Sequence, residues 1–201
     1  VLVFSGRLEY GATHGTADIA NLVEVLSPPD FTPQALTGVD FELPIYPGLQ
    51  LAPDGKIYYT HTTWGQQIPE PSSRALTVTG TSGAWTALGQ EPTHPRREEG
   101  MSVLLPPAQD GKILVVGGSQ ARNLAGTPVL QAGGGGPSAM DHIADPGDPI
   151  SAEILTTGAT PSWAPAPGGG TTTHGRINGH LVLLPDATVL VCGGHNHYKW
   201  K

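Results

Sequence analysis

A short apolar segment occurs four times along the 201 residues of this chain. Its copies are Val1-Leu-Val-Phe-Ser-Gly6, Ile57-Tyr-Tyr-Thr60, Ile113-Leu-Val-Val-Gly-Gly118 and Val189-Leu-Val-Cys-Gly-Gly194. Each copy is rich in β-branched or aromatic residues, a composition that favours β-strands. Successive copies begin 56, 56 and 76 residues apart, so the chain repeats one structural unit and expands it once.

A turn precedes each of the last three copies. Apolar residues lead into proline and aspartate, which favour tight turns, in Leu49-Gln-Leu-Ala-Pro-Asp-Gly55, Val103-Leu-Leu-Pro-Pro-Ala-Gln-Asp-Gly111 and Leu181-Val-Leu-Leu-Pro-Asp-Ala187. Each of these copies is therefore the second strand of a β-hairpin. Two further strands are predicted in each unit, at Leu22–Leu26 and Gln34–Phe41, at Ala75–Thr79 and Trp85, and at Ala152–Thr156 and Trp163. Four strands at this period are typical of propeller blades.

The composition agrees with a fold made of strands and turns. Glycine and proline occur 28 and 20 times, but the apolar strands between them rule out a disordered chain. No segment keeps apolar residues at helical spacing over three turns, so an all-β fold is predicted, with Ser138–Ala144 as the best candidate for a short helix. The net charge of −7 and the scattered Lys and Arg residues argue against a nucleic-acid partner.

The sequence begins on the second strand of one hairpin, and its last recognisable element is the second strand of another. A propeller strand without its hairpin partner would leave a row of unpaired backbone groups. We therefore expect the native protein to continue beyond Val1 and Lys201, and we interpret the chain as an internal part of a larger propeller.

The combination of a Leu-Pro-Asp-Gly hairpin, a Val-Leu-Val-Gly-Gly strand, an Ala-Glu-Ile-Leu strand and a following tryptophan resembles the kelch repeats of the galactose oxidase and glyoxal oxidase group. The resemblance covers nearly the whole chain except Ser119–Ile150. It implies an all-β, kelch-type β-propeller, of which residues 1–201 supply about three blades of six or seven. The predicted units are a part blade at 1–45, a blade at 46–92, a blade at 93–170 with an insertion at 119–150, and an opening hairpin at 171–201.

Binding groups are predicted to collect at one edge of the hairpins. In an antiparallel hairpin the start of the first strand and the end of the second lie at the same edge. We call this edge the loop face, and loops on a rigid scaffold are where binding groups are commonly found. The polar and aromatic residues expected there are Arg7, Glu9, Tyr10, His14, Tyr46, His61, Thr62, Trp64, Arg96, Arg97, Glu98, Glu99, His174, Arg176, Asn178, His195, His197 and Tyr198.

The resemblance also implies a chemistry. Copper radical oxidases of this group use a Cys–Tyr cross-link, a second tyrosine and two histidines around one copper ion to oxidise a primary alcohol or aldehyde while O2 becomes H2O2. Matching unit to unit places the cross-linked tyrosine before Val1 and the adjacent Tyr-His ligands one blade beyond Lys201. The matching segment here reads Arg176-Ile-Asn178, so no catalytic or metal-binding residue of the family is assigned within the chain. A secreted protein is implied.

A part of the substrate site is implied within the chain. The substrate-contacting arginine of the family corresponds to Arg96 or Arg97, and a guanidinium can hold two hydroxyls or one carboxylate; the alternative is a rim arginine paired with Glu98 or Glu99. His195 corresponds to a polar contact residue. The aromatic residue that covers the radical tyrosine falls near Leu8, which departs from the family. Either Tyr10 or Trp64 takes that role or the radical is less shielded, and both alternatives argue against galactose as the substrate.

Three other features of the sequence allow a structural interpretation, and one of them also allows a functional interpretation. His195 and His197, two positions apart on an extended segment, could chelate a metal ion if a third ligand approached, or they are an ordinary surface pair. Cys192 lies within an apolar strand and is expected to be a buried, inert thiol. Trp85 and Trp163 occupy matched places in their units and are expected to pack between blades.

Two functions are compatible with these features. The first is a section of a copper radical oxidase, whose partners are the remaining blades of the same protein or of a second chain. The second is a non-catalytic kelch propeller that binds a glycan or a protein through the loop face.

We predict that the isolated 201-residue chain dimerises or aggregates, because repeat units bury their faces only against their neighbours. Light scattering coupled to size exclusion, together with a thermal melt, checks this prediction. A monomer with a sharp, cooperative melt would contradict it.

Overall fold

The computed structural model describes residues 2–4, 22–39, 41, 43, 47–61, 73–89, 100–118, 142–143, 150–169, 171–172, 175–195 and 197–198. These residues form sixteen strands and two short 3₁₀ turns, Ala108–Asp110 and Pro167–Gly169. The strands are β1 (Leu2–Phe4), β2 (Val23–Leu26), β3 (Pro33–Ala35), β4 (Gly48–Leu51), β5 (Ile57–His61), β6 (Arg74–Thr79), β7 (Ser82–Ala87), β8 (Met101–Leu104), β9 (Lys112–Val116), β10 (His142–Ile143), β11 (Ile150–Thr156), β12 (Ser162–Pro165), β13 (Thr171–Thr172), β14 (Ile177–Leu183), β15 (Val189–His195) and β16 (His197–Tyr198). The predicted all-β class is confirmed.

The strands form a series of antiparallel sheets. The first sheet has the order β1-β2-β3, the second β4-β5-β6-β7, and the third β12-β11-β9-β8 with β13 paired to β11. The fourth element is the hairpin β14-β15. The second and third sheets thus contain the four consecutively paired strands that the repeat predicts. The unit boundaries and the closure of the sheets into a ring stay predictions.

The prediction of a helix at Ser138–Ala144 is wrong for the two residues of this segment that the structure describes. His142 and Ile143 form strand β10, which pairs with β16 in the register His142↔Tyr198 and Ile143↔His197. A two-residue strand has too little local signal to be read from sequence, because a distant segment supplies its hydrogen-bond partners.

Successive sheets pack face to face. Between the first and second sheets lie Val23, Leu36, Val39, Ile57 and Leu76, all buried. Between the second and third lie Ala52, Tyr58, Ala75, Ile113, Val115 and Leu155. Met101 and Val116 of the third sheet pack against Leu181 and Val191 of the hairpin β14-β15. Each of these interfaces is therefore built mainly from apolar side chains, most of them at alternate positions of facing strands.

The two tryptophans lie in these interfaces, as predicted. Trp85 packs with the cluster between the first and second sheets and meets Phe4 edge-on at 6.5 Å between ring centroids. Trp163 packs against the cluster between the second and third sheets. Both residues therefore contribute to the contact between neighbouring sheets.

The three hairpins β4-β5, β8-β9 and β14-β15 share one register next to their turns. The amide of Ala52 donates to the carbonyl of Lys56 (3.0 Å), that of Leu105 to Lys112 (2.8 Å), and that of Leu184 to Thr188 (2.9 Å). Counting away from these bonds gives equivalent positions in all three hairpins. One repeated sequence pattern thus produces the same strand pairing beside each turn, although the turn of β8-β9 is longer and β4-β5 has a register shift at Gly48.

Aspartates close two of the turns. The Asp186 carboxylate accepts hydrogen bonds from the amide (3.0 Å) and the hydroxyl (2.7 Å) of Thr188, and these bonds lower the pKa of Asp186. Asp54 accepts a bond from the amide of Lys56 at 3.2 Å. The side chain of aspartate thus replaces a backbone acceptor in the turn, as its place in the repeat predicts.

Tyr58 joins the turn of β4-β5 to the third sheet. Its buried hydroxyl donates to the Asp54 carboxylate (2.8 Å) and accepts a bond from the amide of Gly158 (3.2 Å) in the turn between β11 and β12. The Lys56 ammonium donates to the carbonyl of Gly158 at 3.3 Å and lies 3.5 Å from the Asp54 carboxylate. Burial, together with Asp54, raises the pKa of Tyr58 to about 12.

We predict that Tyr58→Phe lowers the free energy of unfolding of the protein that carries this chain by about 1–3 kcal/mol, because the amide of Gly158 loses its acceptor. Urea denaturation measures this change. In the control Lys112→Gln, only the exposed ion pair with Asp110 (3.9 Å) is lost among the described side-chain contacts, so a cost under about 1 kcal/mol is expected. Equal effects of the two changes would contradict the prediction.

The raised pKa of Tyr58 gives a second prediction. The folded state favours the neutral phenol, whose stabilising contribution is complete below pH 10, the ordinary value, and is lost as the pH rises towards about 12. Stability measured by urea at pH 8 and pH 11 should therefore fall more in the unchanged protein than in Tyr58→Phe. An equal fall in both proteins would show that the pKa of Tyr58 does not differ between the folded and unfolded states.

Candidate functional site

The loop face is the edge at which the three hairpins begin and end. The registers Gly48↔His61, Met101↔Val116 and Ile177↔His195 place the start of each first strand beside the end of its second strand. The chain therefore enters β4, β8 and β14, and leaves β5, β9 and β15, on one side of each hairpin.

Gly117 and Gly118 bring the third sheet into contact with the hairpin β14-β15 at the loop face. Both adopt positive φ angles, 70° and 88°. The amide of Gly118 donates to the carbonyl of Arg176 at 2.8 Å. A Cβ atom on Gly117 would lie 2.6 Å from that carbonyl oxygen and 2.8 Å from Cε of Met101. Gly117 is thus required both by its backbone conformation and by the close approach of Arg176, and Gly118 is favoured by its backbone conformation.

Arg176 links two loops at this edge. Its backbone carbonyl accepts the bond from Gly118, and its guanidinium donates to the carbonyl of Gly193 at 2.8 Å. The side chain therefore holds the end of β15 while the main chain holds the end of β9. The sequence placed Arg176 on the loop face but assigned it no role; nothing in the sequence alone shows that its partners are backbone carbonyls and amides.

His61 occupies the equivalent edge of the second sheet. Its side chain is buried, and a Cβ atom on Gly48 would overlap the imidazole ring. The Thr60 hydroxyl donates to the carbonyl of Gly48 (3.2 Å) and lies 3.1 Å from Nδ1 of His61. Because that hydroxyl gives its proton to Gly48, it can accept one from Nδ1, which favours the tautomer with the proton on Nδ1.

An aromatic and cationic cluster lies beside this edge. The Arg74 guanidinium stacks over the ring of Phe41 at 4.0 Å, and Phe41 contacts Tyr59 and Trp85 with ring centroids 6.4 and 5.8 Å apart. Burial lowers the pKa of Arg74 from its ordinary value, which the neighbouring Tyr59 partly offsets. The cluster joins Phe41, which lies between the first and second sheets in the sequence, to strands β5, β6 and β7.

Most of the predicted substrate residues lie outside the part of the chain that the structure describes. Arg96, Arg97, Tyr10 and Trp64 all lie outside it. His195 ends β15 opposite Ile177, and His197 lies in β16 opposite Ile143 of the insertion; the side chains of both histidines also lie outside the described part. The pairing of β10 with β16 was missed from the sequence, and it places His142 and Ile143 beside Tyr198 and His197.

Cys192 corrects a prediction. It is partly exposed, with its thiol 3.8 Å from the carbonyl of His180, and is not buried as its apolar strand suggested. Alternate residues of a strand point to opposite sides, and Cys192 lies on the side of the hairpin β14-β15 that does not pack on the third sheet.

The described side chains do not make a metal centre. Within the ranges that the structure describes, no three His, Cys, Asp or Glu side chains lie close enough together to hold one metal ion. Copper therefore does not fit the donors described at the loop face. Also within these ranges, no helix is long and apolar enough to cross a membrane.

We predict that Gly117→Ala destabilises the protein by about 2–4 kcal/mol, from the positive φ and from the overlap with the Arg176 carbonyl. Gly80→Ala is the matched control, because Gly80 has a φ of 60° and no atom near its Cβ position. It should cost only the backbone term of about 1–2 kcal/mol. Urea denaturation of both variants measures the difference, and equal costs would contradict the close approach.

Comparison with known proteins finds a likeness among solved structures. No family model and no curated protein matches the sequence. Among solved structures, a fungal alcohol oxidase of the AA5 family, determined in complex with copper, matches with a TM-score of 0.61 and 20% sequence identity over 99% of this chain. The match covers 35% of that oxidase, so the chain spans about a third of its length. The chain thus has the fold of one part of a copper-containing alcohol oxidase.

Proposed function

We propose that the chain is part of a galactose oxidase-like copper radical oxidase, which oxidises a primary alcohol or aldehyde with O2 and releases H2O2. The observation that carries the proposal is the likeness of 99% of the chain to an alcohol oxidase bound to copper. The kelch-like motifs of the sequence support the same group independently. In this proposal the chain supplies propeller walls and loops of the substrate face.

The geometry of the loop face supports this role for the predicted residues. Arg96 and Arg97 precede β8, which the chain enters at the loop face, where Met101 pairs with Val116. His195 ends β15 at the equivalent edge, where it pairs with Ile177. Gly118 and Arg176 join these two edges by a hydrogen bond of 2.8 Å. The segments that would contact the substrate are therefore attached to one rigid framework.

The metal chemistry is proposed to come from elsewhere in the protein. Copper and a Cys–Tyr cross-link supply the two oxidising equivalents in this class of enzyme. We propose that their ligands belong to the remaining blades of the same protein or of a second chain, since this chain corresponds to 35% of the similar oxidase. We also propose that the whole protein is secreted.

The direct test is copper content and peroxide production. The protein that carries this chain, with its flanking sequence, is purified, loaded with copper and assayed by a peroxidase-coupled reaction with galactose, glycerol, benzyl alcohol and methylglyoxal. We expect about one copper per protein, a cross-linked Cys–Tyr peptide in the mass map, and copper-dependent H2O2 with at least one substrate. Protein that binds no copper and forms no peroxide would contradict the proposal and favour a propeller that binds a glycan or protein.

We predict that either Arg96→Ala or Arg97→Ala raises KM at least about tenfold, because a guanidinium that holds substrate hydroxyls contributes about 1.5–3 kcal/mol. Steady-state peroxide assays measure the change. Lys112→Ala is the control, since Lys112 is exposed and pairs only with Asp110, 3.9 Å away, at the opposite edge of the hairpin β8-β9. If both arginine variants keep KM within twofold of the control, neither arginine contacts the substrate.

A further inference from the structure

Two buried hydrogen-bond donors on one side of the second sheet have no acceptor among the residues that the structure describes. They are Nε of Arg74 on β6 and Nε1 of Trp85 on β7. Both side chains lie on the side that faces the first sheet, because Leu76, two residues after Arg74, pairs with Trp85 and packs with it between these sheets. A buried N–H group without an acceptor is unfavourable, so an acceptor brought by a ligand would stabilise this site.

Phe41 contacts both of these side chains. The guanidinium of Arg74 stacks over the Phe41 ring at 4.0 Å, and the ring centroids of Phe41 and Trp85 are 5.8 Å apart. Tyr59 of β5 lies 6.4 Å from the same ring. Stacking occupies a face of the guanidinium, whereas its five N–H groups lie in its plane and still need acceptors. We call Arg74, Phe41, Tyr59 and Trp85 the Arg74 cluster.

The Arg74 cluster carries a positive charge that no described carboxylate neutralises. The ion pairs among the described residues join lysines to aspartates at the turns of β4-β5 and β8-β9, and neither includes Arg74. Burial lowers the pKa of Arg74, and the neighbour that partly offsets this effect is Tyr59. A guanidinium withdrawn from water without a counter-ion is unfavourable. The cluster therefore favours an anionic ligand.

Trp163 shows that a buried indole N–H does not by itself indicate a ligand. Its Nε1 is also buried without an acceptor among the described residues. Trp163 packs against the cluster between the second and third sheets, and no described cation stacks on an aromatic ring there. The guanidinium beside Trp85 is therefore the feature that distinguishes the Arg74 cluster.

Arg74 lies at the end of β6 that is nearest the loop face. It pairs with Tyr59, and His61, two residues further along β5, pairs with Gly48 at the loop face. The residue is partly exposed, although its Nε atom is inaccessible to solvent. A ligand can therefore reach the guanidinium from this edge of the sheet.

We propose that the Arg74 cluster binds a small monocarboxylate that carries an apolar group. The planar fork of a guanidinium matches the two oxygens of a carboxylate. A single negative charge balances the single cation that the described residues place in the cluster. The rings of Phe41 and Trp85 suit an apolar group beside the carboxylate. This inference goes beyond the proposed oxidase activity and does not depend on it.

Calorimetry with benzoate tests the proposal directly. Benzoate joins a carboxylate to an apolar ring, and benzamide has nearly the same shape without the charge. The intact protein, with its flanking sequence and without added copper, is titrated with each compound. We expect benzoate to bind with a Kd below about 5 mM and benzamide to bind at least about tenfold more weakly. A Kd for benzoate above about 5 mM, or a difference between the two compounds of less than about tenfold, overturns the proposal.

Substitution of Arg74 shows where benzoate binds. Arg74→Met keeps an apolar side chain over Phe41 and removes the charge, so benzoate should bind at least about tenfold more weakly. Arg74→Lys keeps the charge and removes the planar fork, so binding should weaken at least about threefold. Lys112→Met is the control, because Lys112 is an exposed cation at the turn of β8-β9, and the Kd should stay within about twofold. Benzoate bound equally well by Arg74→Met and the unchanged protein lies elsewhere and overturns the proposal.

The stability of the protein without benzoate separates a ligand from a carboxylate of the protein itself. Asp40 and Glu42 flank Phe41 in the sequence, outside the described residues, and are the first candidates for an internal counter-ion. If the protein supplies none, Arg74→Met should keep or raise the Tm, because an apolar side chain replaces an uncompensated charge. A fall in the Tm of more than about 3 °C would mean that an internal carboxylate holds Arg74 and would overturn the proposal.

Discussion

Burial of aliphatic side chains between successive sheets is the interaction on which the rest of the structure depends. A two-stranded hairpin with apolar residues on both sides is not stable in water, since each side must be removed from solvent by a neighbour. In this chain the sides of β8-β9 are covered by the second sheet on one side and by β14-β15 on the other. The order of the sheets in space therefore follows their order in the sequence.

The two edges of the hairpins are fixed by different means. At the turn edge, Tyr58, Asp54 and Gly158 join the second and third sheets through side-chain hydrogen bonds. At the loop face, Gly118 and Arg176 join the third sheet to β14-β15 through the backbone. Glycine leaves room for the main chain of the next hairpin. The strands from which the loops extend are therefore held both near the turns and at the loop face. Such a framework suits either substrate binding or recognition of a glycan, so the chemistry must be decided by the loops themselves.

Much of the fold could be predicted from the sequence because its signals are local. The Pro-Asp turns set the register of each hairpin, and the spacing of the copies set the number of strands. The failures come from contacts between distant segments: His142 and Ile143 form a strand because β16 lies beside them, and Cys192 is half-exposed because its side of the hairpin has no neighbour here. The role of Arg176 was missed for the same reason. The predicted substrate residues Arg96, Arg97, Tyr10 and Trp64 stay predictions, since they lie outside the described residues.

His61 and Gly48 reverse an arrangement found one unit later. In the second sheet the large ring is on the second strand and glycine is on the first, whereas in the third sheet Met101 is on the first strand and Gly117 on the second. In each of these two hairpins one large side chain fills the space at the loop face, but it comes from the second strand in β4-β5 and from the first strand in β8-β9. Only the arrangement with glycine on the second strand lets the next hairpin approach as closely as Arg176 does. The repeat units are consequently not interchangeable: placing one unit where the other stands would leave a hole or a collision beside the loop face, although both follow the same repeat.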